Sequence, residues 1–219
     1  MLSLPPFDAA TLIAYCAACA LLIISPGPGQ ALIIARTVEG GTRAGVLTAI
    51  GLQIGTLVHT VAAALGLSAI LATSAAAFTV VKYAGAAYLI VLGILTLRRA
   101  GRGSPAAAAE PAARRDRRRL VLHAAITGIL NPKVALFFLA FLPQFVHPER
   151  GMVLLQFLTL GLILSLIGVI GDSLVAFATG RLSGRLLANK RLAAWRERTT
   201  GFVLIAIGLR LAFVARRSA

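Results

Sequence analysis

The chain has 219 residues, 58% of them hydrophobic and 13% charged, with a mean hydropathy of +0.88 and a net charge of +15. A soluble domain carries roughly a quarter charged residues, so this composition excludes one and points to an integral membrane protein. The positive charge does not imply nucleic acid: the arginines lie in loops between apolar runs, as in cytoplasmic membrane loops, and no aromatics are interleaved with them to stack bases.

A helix needs about 20 residues to cross a bilayer. The first predicted span covers residues 9–35, with no charge between Asp8 and Arg36. The preceding residues 1–7 carry no Lys or Arg side chain, so the positive region of a signal peptide is missing and the span is expected to stay in the mature protein. Cys16 and Cys19 fall on one face of it. A C-x-x-C in an apolar helix lacks the context of a zinc or redox site, and the pair reads as small packing residues. Past the middle of the span lies Ser25-Pro26-Gly27-Pro28-Gly29. Two prolines and two glycines cannot continue a helix. Bare backbone in hydrocarbon costs several kcal/mol per group, so such a break is tolerated only where it is covered or lines a cavity. Secondary transporters hold solutes at breaks of this kind.

A short charged turn follows at Arg36, Glu39 and Arg43, with Gly40-Gly41 to reverse direction. Span two is predicted to run to residue 71, then a small-residue reversal over 73–77, then span three over 78–97 with Lys82 snorkelling near its start. Residues 98–119 are Ala/Pro/Arg-rich without apolar periodicity, and read as a cytoplasmic linker. Span four, 120–146, carries a second interruption at Asn131-Pro132-Lys133. A turn at 147–150, span five over 151–180, a basic connection containing Trp195, and span six over 199–215 complete the chain. Of the 22 Lys and Arg residues, 16 fall in three alternate loops. The positive-inside rule then puts both termini outside the cytoplasm.

A shift of 106 residues lays Ser25-Pro26 on Asn131-Pro132, Gly45 on Gly151 and Gly55 on Gly161. Each half holds three spans, an odd number, so the second half enters the membrane in the opposite sense. The expected fold is an all-α membrane protein of six transmembrane helices in two inverted three-helix repeats, 1–97 and 120–219, joined by the 98–119 linker. Paired broken helices in such repeats mark a binding site near the midplane.

Four blocks in order resemble the LysE/RhtB family of amino-acid exporters: the SPGPG ending of span one, GGTRAGVLTAIGLQIG, KYAGAAYLIVLGILTLR, and GILNPKVALFFLAFLPQFV. The similarity covers nearly all of the chain except the arginine linker and the two ends. It implies a bacterial inner-membrane exporter of amino acids or close derivatives, coupled to the proton or another ion gradient.

The residues expected to carry the pathway are Ser25, Pro26, Gly27, Pro28, Gly29, Gln30, Gln53, Asn131, Pro132, Lys133 and Asp172. Asp172 is the carboxylate well inside a span, where an unpaired charge costs several kcal/mol. It is a proton carrier, a counter-ion for a substrate ammonium, or a structural partner of Lys133. Lys133 could bind a substrate carboxylate, and Asn131 could cap the helix that starts after it. Gln30 could face the same cavity. Gln53 and His59 are each explained by an interhelical hydrogen bond. Gly45, Gly51, Gly55 and Gly66 are expected to permit close packing. A membrane-embedded enzyme lacks its nucleophile and base here, and a divalent-cation exporter would need more intramembrane acids or histidines. No cofactor, metal or nucleic-acid partner is expected. The expected partners are the amino-acid substrate and the bilayer, and a homo-oligomer is left open.

Overall fold

The computed structural model describes residues 7–25, 27–73, 75–99 and 116–181, together with 194–195, 198–199, 201–202, 205–206 and 208–209. Asp8 starts the first helix, α1 (Ala9–Ile24), by accepting from the Thr11 N–H at 2.7 Å. That backbone bond, more than the nearby Arg150, holds the Asp8 carboxyl below its ordinary value. The helix ends where the sequence says it must. Ser25 precedes a proline, is pushed out of the helical region, and sits extended at φ −63°, ψ 123°.

The chain re-enters helix at Pro28, whose ring suits a first helical turn, and α2 (Pro28–Thr73) follows. One residue divides it: Gly41, at φ 76° and ψ 177°, a conformation that side-chain-bearing residues avoid. The reversal is therefore a single glycine. The charged residues read as a turn are helical instead, and Arg36 is buried with an ion pair to Glu39 one turn on, at 2.7 Å.

Next come α3 (Ala75–Arg99) and α4 (Arg117–Ile129). The Arg98–Arg99 end of the sequence-read linker thus belongs to α3. Arg117, Arg118 and Arg119 belong to α4, because Asp116 accepts from the Arg118 N–H and caps that helix three residues earlier than expected. Residues 100–115 lie outside the described residues.

Asn131 adopts the same kind of pre-proline extended conformation as Ser25, φ −76° and ψ 107°, and its side chain accepts from the Lys133 N–H at 3.1 Å. This caps α5 (Pro132–Leu136). The helix then widens into a π segment, Phe137–Phe141, and tightens over Leu142–Phe145. Pro143 gives the reason: it has no N–H and would strike the carbonyl four residues back. The whole broken element bends by 45°. After a turn at Pro148–Arg150, Gly151 (φ 71°, ψ −170°) admits α6 (Val153–Arg181). Gly151 shares its conformation with Gly41. Gly45, its partner under the 106-residue shift, lies inside a helix against Thr37 and Ala176.

Among the described residues two helical stretches are long and apolar enough to cross a membrane, Pro28–Leu67 and Val153–Arg181, and the bent pair over 117–145 makes a third. Most of the predicted sixth span lies outside the described residues. Those of its residues that are described pack on α3: a Cβ at Gly93 would lie 2.7 Å from the Gly201 carbonyl, and one at Gly208 would lie 2.8 Å from that of Ala86.

On α6 the membrane pattern is plain. Leu162, Leu166, Ile170 and Leu174 form an exposed apolar stripe at four-residue spacing. The inward face carries Gly161, Ser165, Gly168, Asp172, Ala176 and Thr179. Small residues let helices approach where lipid gives no hydrophobic drive to do so. A Cβ at Gly55 would lie 2.5 Å from the Gly128 backbone, one at Gly51 equally close to the Val121 carbonyl, and Gly45 is as tightly packed. Gly66 departs from expectation, with nothing among the described residues within 4 Å of where its Cβ would be. The larger core gathers Tyr15, Cys19, Phe137, Phe138, Phe141, Leu142 and Phe157. Cys19 is buried and Cys16 half-buried, both free thiols.

Candidate substrate site

The two breaks meet. α1 ends in carbonyls with no helical partner, and side chains from elsewhere take them up. Lys133 Nζ, arriving from the second break, donates to Leu22 O at 2.9 Å and to Ser25 O at 2.8 Å. Gln30 Nε2 donates to Ile23 O. Gly27 lies against the lysine, since a Cβ there would be 3.3 Å from Nζ. Gly29 faces the Asn131 carboxamide, 3.8 Å from where its Cβ would be. Each glycine leaves room for a polar group of the opposite break. The second break is covered in a similar way. His59 Nε2 lies 3.0 Å from Ile129 O, and a carbonyl only accepts, so that nitrogen carries the proton. The His59 ring also stacks on Phe138.

Beside this junction is a small cavity of about 40 Å³ lined by Leu22, Ile23, Gly29, Gln30, Leu52, Gln53, Thr56, Gly128, Asn131, Lys133, Val134, Leu164 and Asp172. Asp172 is 6% exposed and accepts from Gln53 Nε2 at 3.0 Å. It makes no contact ion pair within 4 Å with Lys133, whose Nζ is taken up by carbonyls, while the two charges still act on each other across the cavity. The cavity therefore holds a carboxylate and an ammonium on separate partners. Gln53 Oε1, on the cavity wall, and Ser25 Oγ, at the end of α1, are buried with no hydrogen-bond partner among the described residues. Water needs about 10–15 Å³ of such space, so the cavity has room for a few waters and must widen to admit an organic solute.

The residues expected from sequence sort as follows. Gly29, Gln30, Gln53, Asn131, Lys133 and Asp172 line one cavity. Ser25 and Gly27 touch it through Lys133. Pro28 and Pro132 begin the helices that follow each break, and Pro26 lies outside the described residues. Sequence reasoning missed Thr56, one turn beyond Gln53 on the same face of α2. It also missed Gly168, one turn before Asp172: a Cβ there would lie 2.5 Å from the Gln53 carboxamide. That glycine is what lets Gln53 lie across α6 to reach Asp172.

Residues 20–214 match the model of the LysE type translocator family. The chain belongs to the LysE translocator family. Among its relatives, a homoserine/homoserine lactone efflux protein of Salmonella typhimurium is 34% identical over 83% of this chain and 82% of its own length. A leucine efflux protein of an Enterobacter species is 29% identical over 87% of this chain and 90% of its own. An uncharacterised membrane protein of Pseudomonas aeruginosa is 34% identical over 87% and 89% respectively. No solved structure matches the chain. As a LysE translocator the chain is a membrane protein.

Proposed function

We propose that this LysE-type protein exports neutral amino acids or close derivatives from the bacterial cytoplasm, driven by the proton gradient, through the cavity between its two breaks. One observation carries the reading: a single buried cavity presents Asp172 and Lys133, each bonded to something other than its opposite charge. An amino acid is itself a pair of opposite charges, and it can replace each internal partner with its own. Of the described lining residues only Asp172 is acidic; besides it and Lys133 the wall carries the amides Gln30, Gln53 and Asn131, one hydroxyl, Thr56, and otherwise aliphatic residues and glycine. Once Asp172 faces the α-ammonium, no carboxylate remains for a basic side chain, which favours substrates such as those the relatives are named for, homoserine and leucine.

The substrate carboxylate would lie toward the first turn of α2 at Gly29 and the Asn131 amide, where helix N–H groups are unused by the ladder. Asp172 would carry the coupling proton. The frame for this is six spans in two inverted halves in the inner membrane, with both termini outside. It is supported by the matching extended residues Ser25 and Asn131, 106 positions apart, and the charge asymmetry of the loops. The test is efflux from cells preloaded with labelled leucine, homoserine and lysine, with and without an uncoupler. The expected result is uncoupler-sensitive loss of the two neutral labels. Export of lysine alone would refute the substrate class, and export unaffected by the uncoupler would refute the coupling.

A further inference from the structure

The cavity has more hydrogen-bond acceptors than cations to fill them. Leu22 O and Ser25 O converge on one ammonium, while Ser25 Oγ and Gln53 Oε1 stay buried without partners among the described residues and Asp172 is held by Gln53 through Oδ2. The ammonium filling this cradle is tethered to the opposite break, on Lys133. It is chemically the group a free amino acid carries, one positive charge and three N–H donors. We infer that the end of α1 and the facing Gln53–Asp172 pair form an ammonium-binding site for the substrate, and that Lys133 is its occupant between transport events. The inference rests on the export reading above.

Displacement of Lys133 by the substrate keeps the charge in the site balanced. The cradle holds one cation and Asp172 faces it, whether the site is empty or loaded. The freed Lys133 shares its turn with Asn131 and is then able to meet the substrate carboxylate. An empty carrier without Lys133 would have to reorient with bare carbonyls buried in apolar surroundings, which is costly. Lys133 is therefore what allows the unloaded protein to return. Without it, substrate-for-substrate exchange persists while net efflux is lost.

The probe is methylammonium, a primary ammonium without a carboxylate; tetramethylammonium, with the charge but no N–H donor, is the control. Purified full-length Lys133→Ala is titrated with each, alongside Lys133→Met, which keeps the bulk of the stem, and the wild type. At ten times its dissociation constant methylammonium should raise the unfolding midpoint of the variants by about 3–6 °C. Tetramethylammonium should not, and the wild type should not respond. No response of the variants, an equal response to both cations, or a wild-type response as large as theirs overturns the inference. A variant that folds only with methylammonium present supports it, and failure of both variants to fold even then counts against it. In proteoliposomes Lys133→Ala should keep exchange and lose net efflux; undiminished net efflux overturns the return role. Because the titration reads binding without transport, a wild type that moves no amino acid would refute export while leaving the ammonium site to be judged on its own.

Discussion

Gly168→Ala tests the device that holds Asp172. A Cβ at position 168 would lie 2.5 Å from both Nε2 and Oε1 of Gln53 and 2.6 Å from its Cδ. Ordinary contact begins near 3.5 Å, so the carboxamide must move by about 1 Å. It is the far end of a flexible side chain and is able to do so, but its 3.0 Å bond to Asp172 does not survive the move. A hydrogen bond to a charged group is worth about 1.5–3 kcal/mol, and replacing a helical glycine with alanine returns about 0.5–1 kcal/mol. The single variant should therefore be less stable by up to about 2.5 kcal/mol. In a Gln53→Ala background the clash is gone and the bond is already lost, so the same change should be neutral or slightly stabilising. Unfolding midpoints of the four proteins in one detergent give the coupling, expected at about 1.5–3 kcal/mol. Additivity within about 0.5 kcal/mol would refute the reasoning, because it would mean that Gly168 and Gln53 do not meet.

The packing glycines should separate cleanly. Gly55→Ala drives a Cβ into the Gly128 and Ile129 backbone at 2.5–2.7 Å, which cannot step aside, so its loss should reach or exceed the ~1–3 kcal/mol typical of overpacking, read as a fall in folded yield. Gly66→Ala meets nothing among the described residues within 4 Å and should be neutral or stabilised by ~0.5–1 kcal/mol; comparable damage at both positions would contradict the packing described. Gly29→Ala meets the Leu52 methyls and the Asn131 amide as its nearest neighbours, the first at 3.3 Å, so the protein should fold with export impaired by the smaller cavity. Normal export there would place the route elsewhere. Cysteines placed singly over 100–115, in a background lacking Cys16 and Cys19, should react with an impermeant reagent only from the cytoplasmic side; labelling from outside would reverse the proposed orientation.

Much of this site was legible because prolines announce themselves. Pro28 and Pro132 begin helices by covalent geometry, and Ser25 and Asn131, each followed by a proline in the sequence, are extended. Asp172 stood out by cost alone. What the sequence hid depends on three-dimensional neighbours. The residue type says that Lys133 is a cation, but not that its partners would be two main-chain carbonyls of another helix, groups that every residue carries. Gly168 looks like any other small residue in a membrane helix until Gln53 is seen lying on it. Gly66 shows the converse, a glycine in a small-residue helix with no neighbour among the described residues where its Cβ would be. The reversal read at Gly40-Gly41 is made by Gly41; what the sequence hid is that the flanking charged residues stay helical, with Arg36 and Glu39 paired one turn apart.

The central claim, amino-acid export through the Asp172 cavity, is tested most directly in inverted membrane vesicles containing either the wild type or Asp172→Asn at matched levels. Labelled homoserine and leucine are added outside, and uptake is followed as a proton gradient is imposed. The account predicts gradient-dependent accumulation of at least one label by the wild type and none by the Asn variant. Equal accumulation by a well-folded Asp172→Asn protein would contradict it.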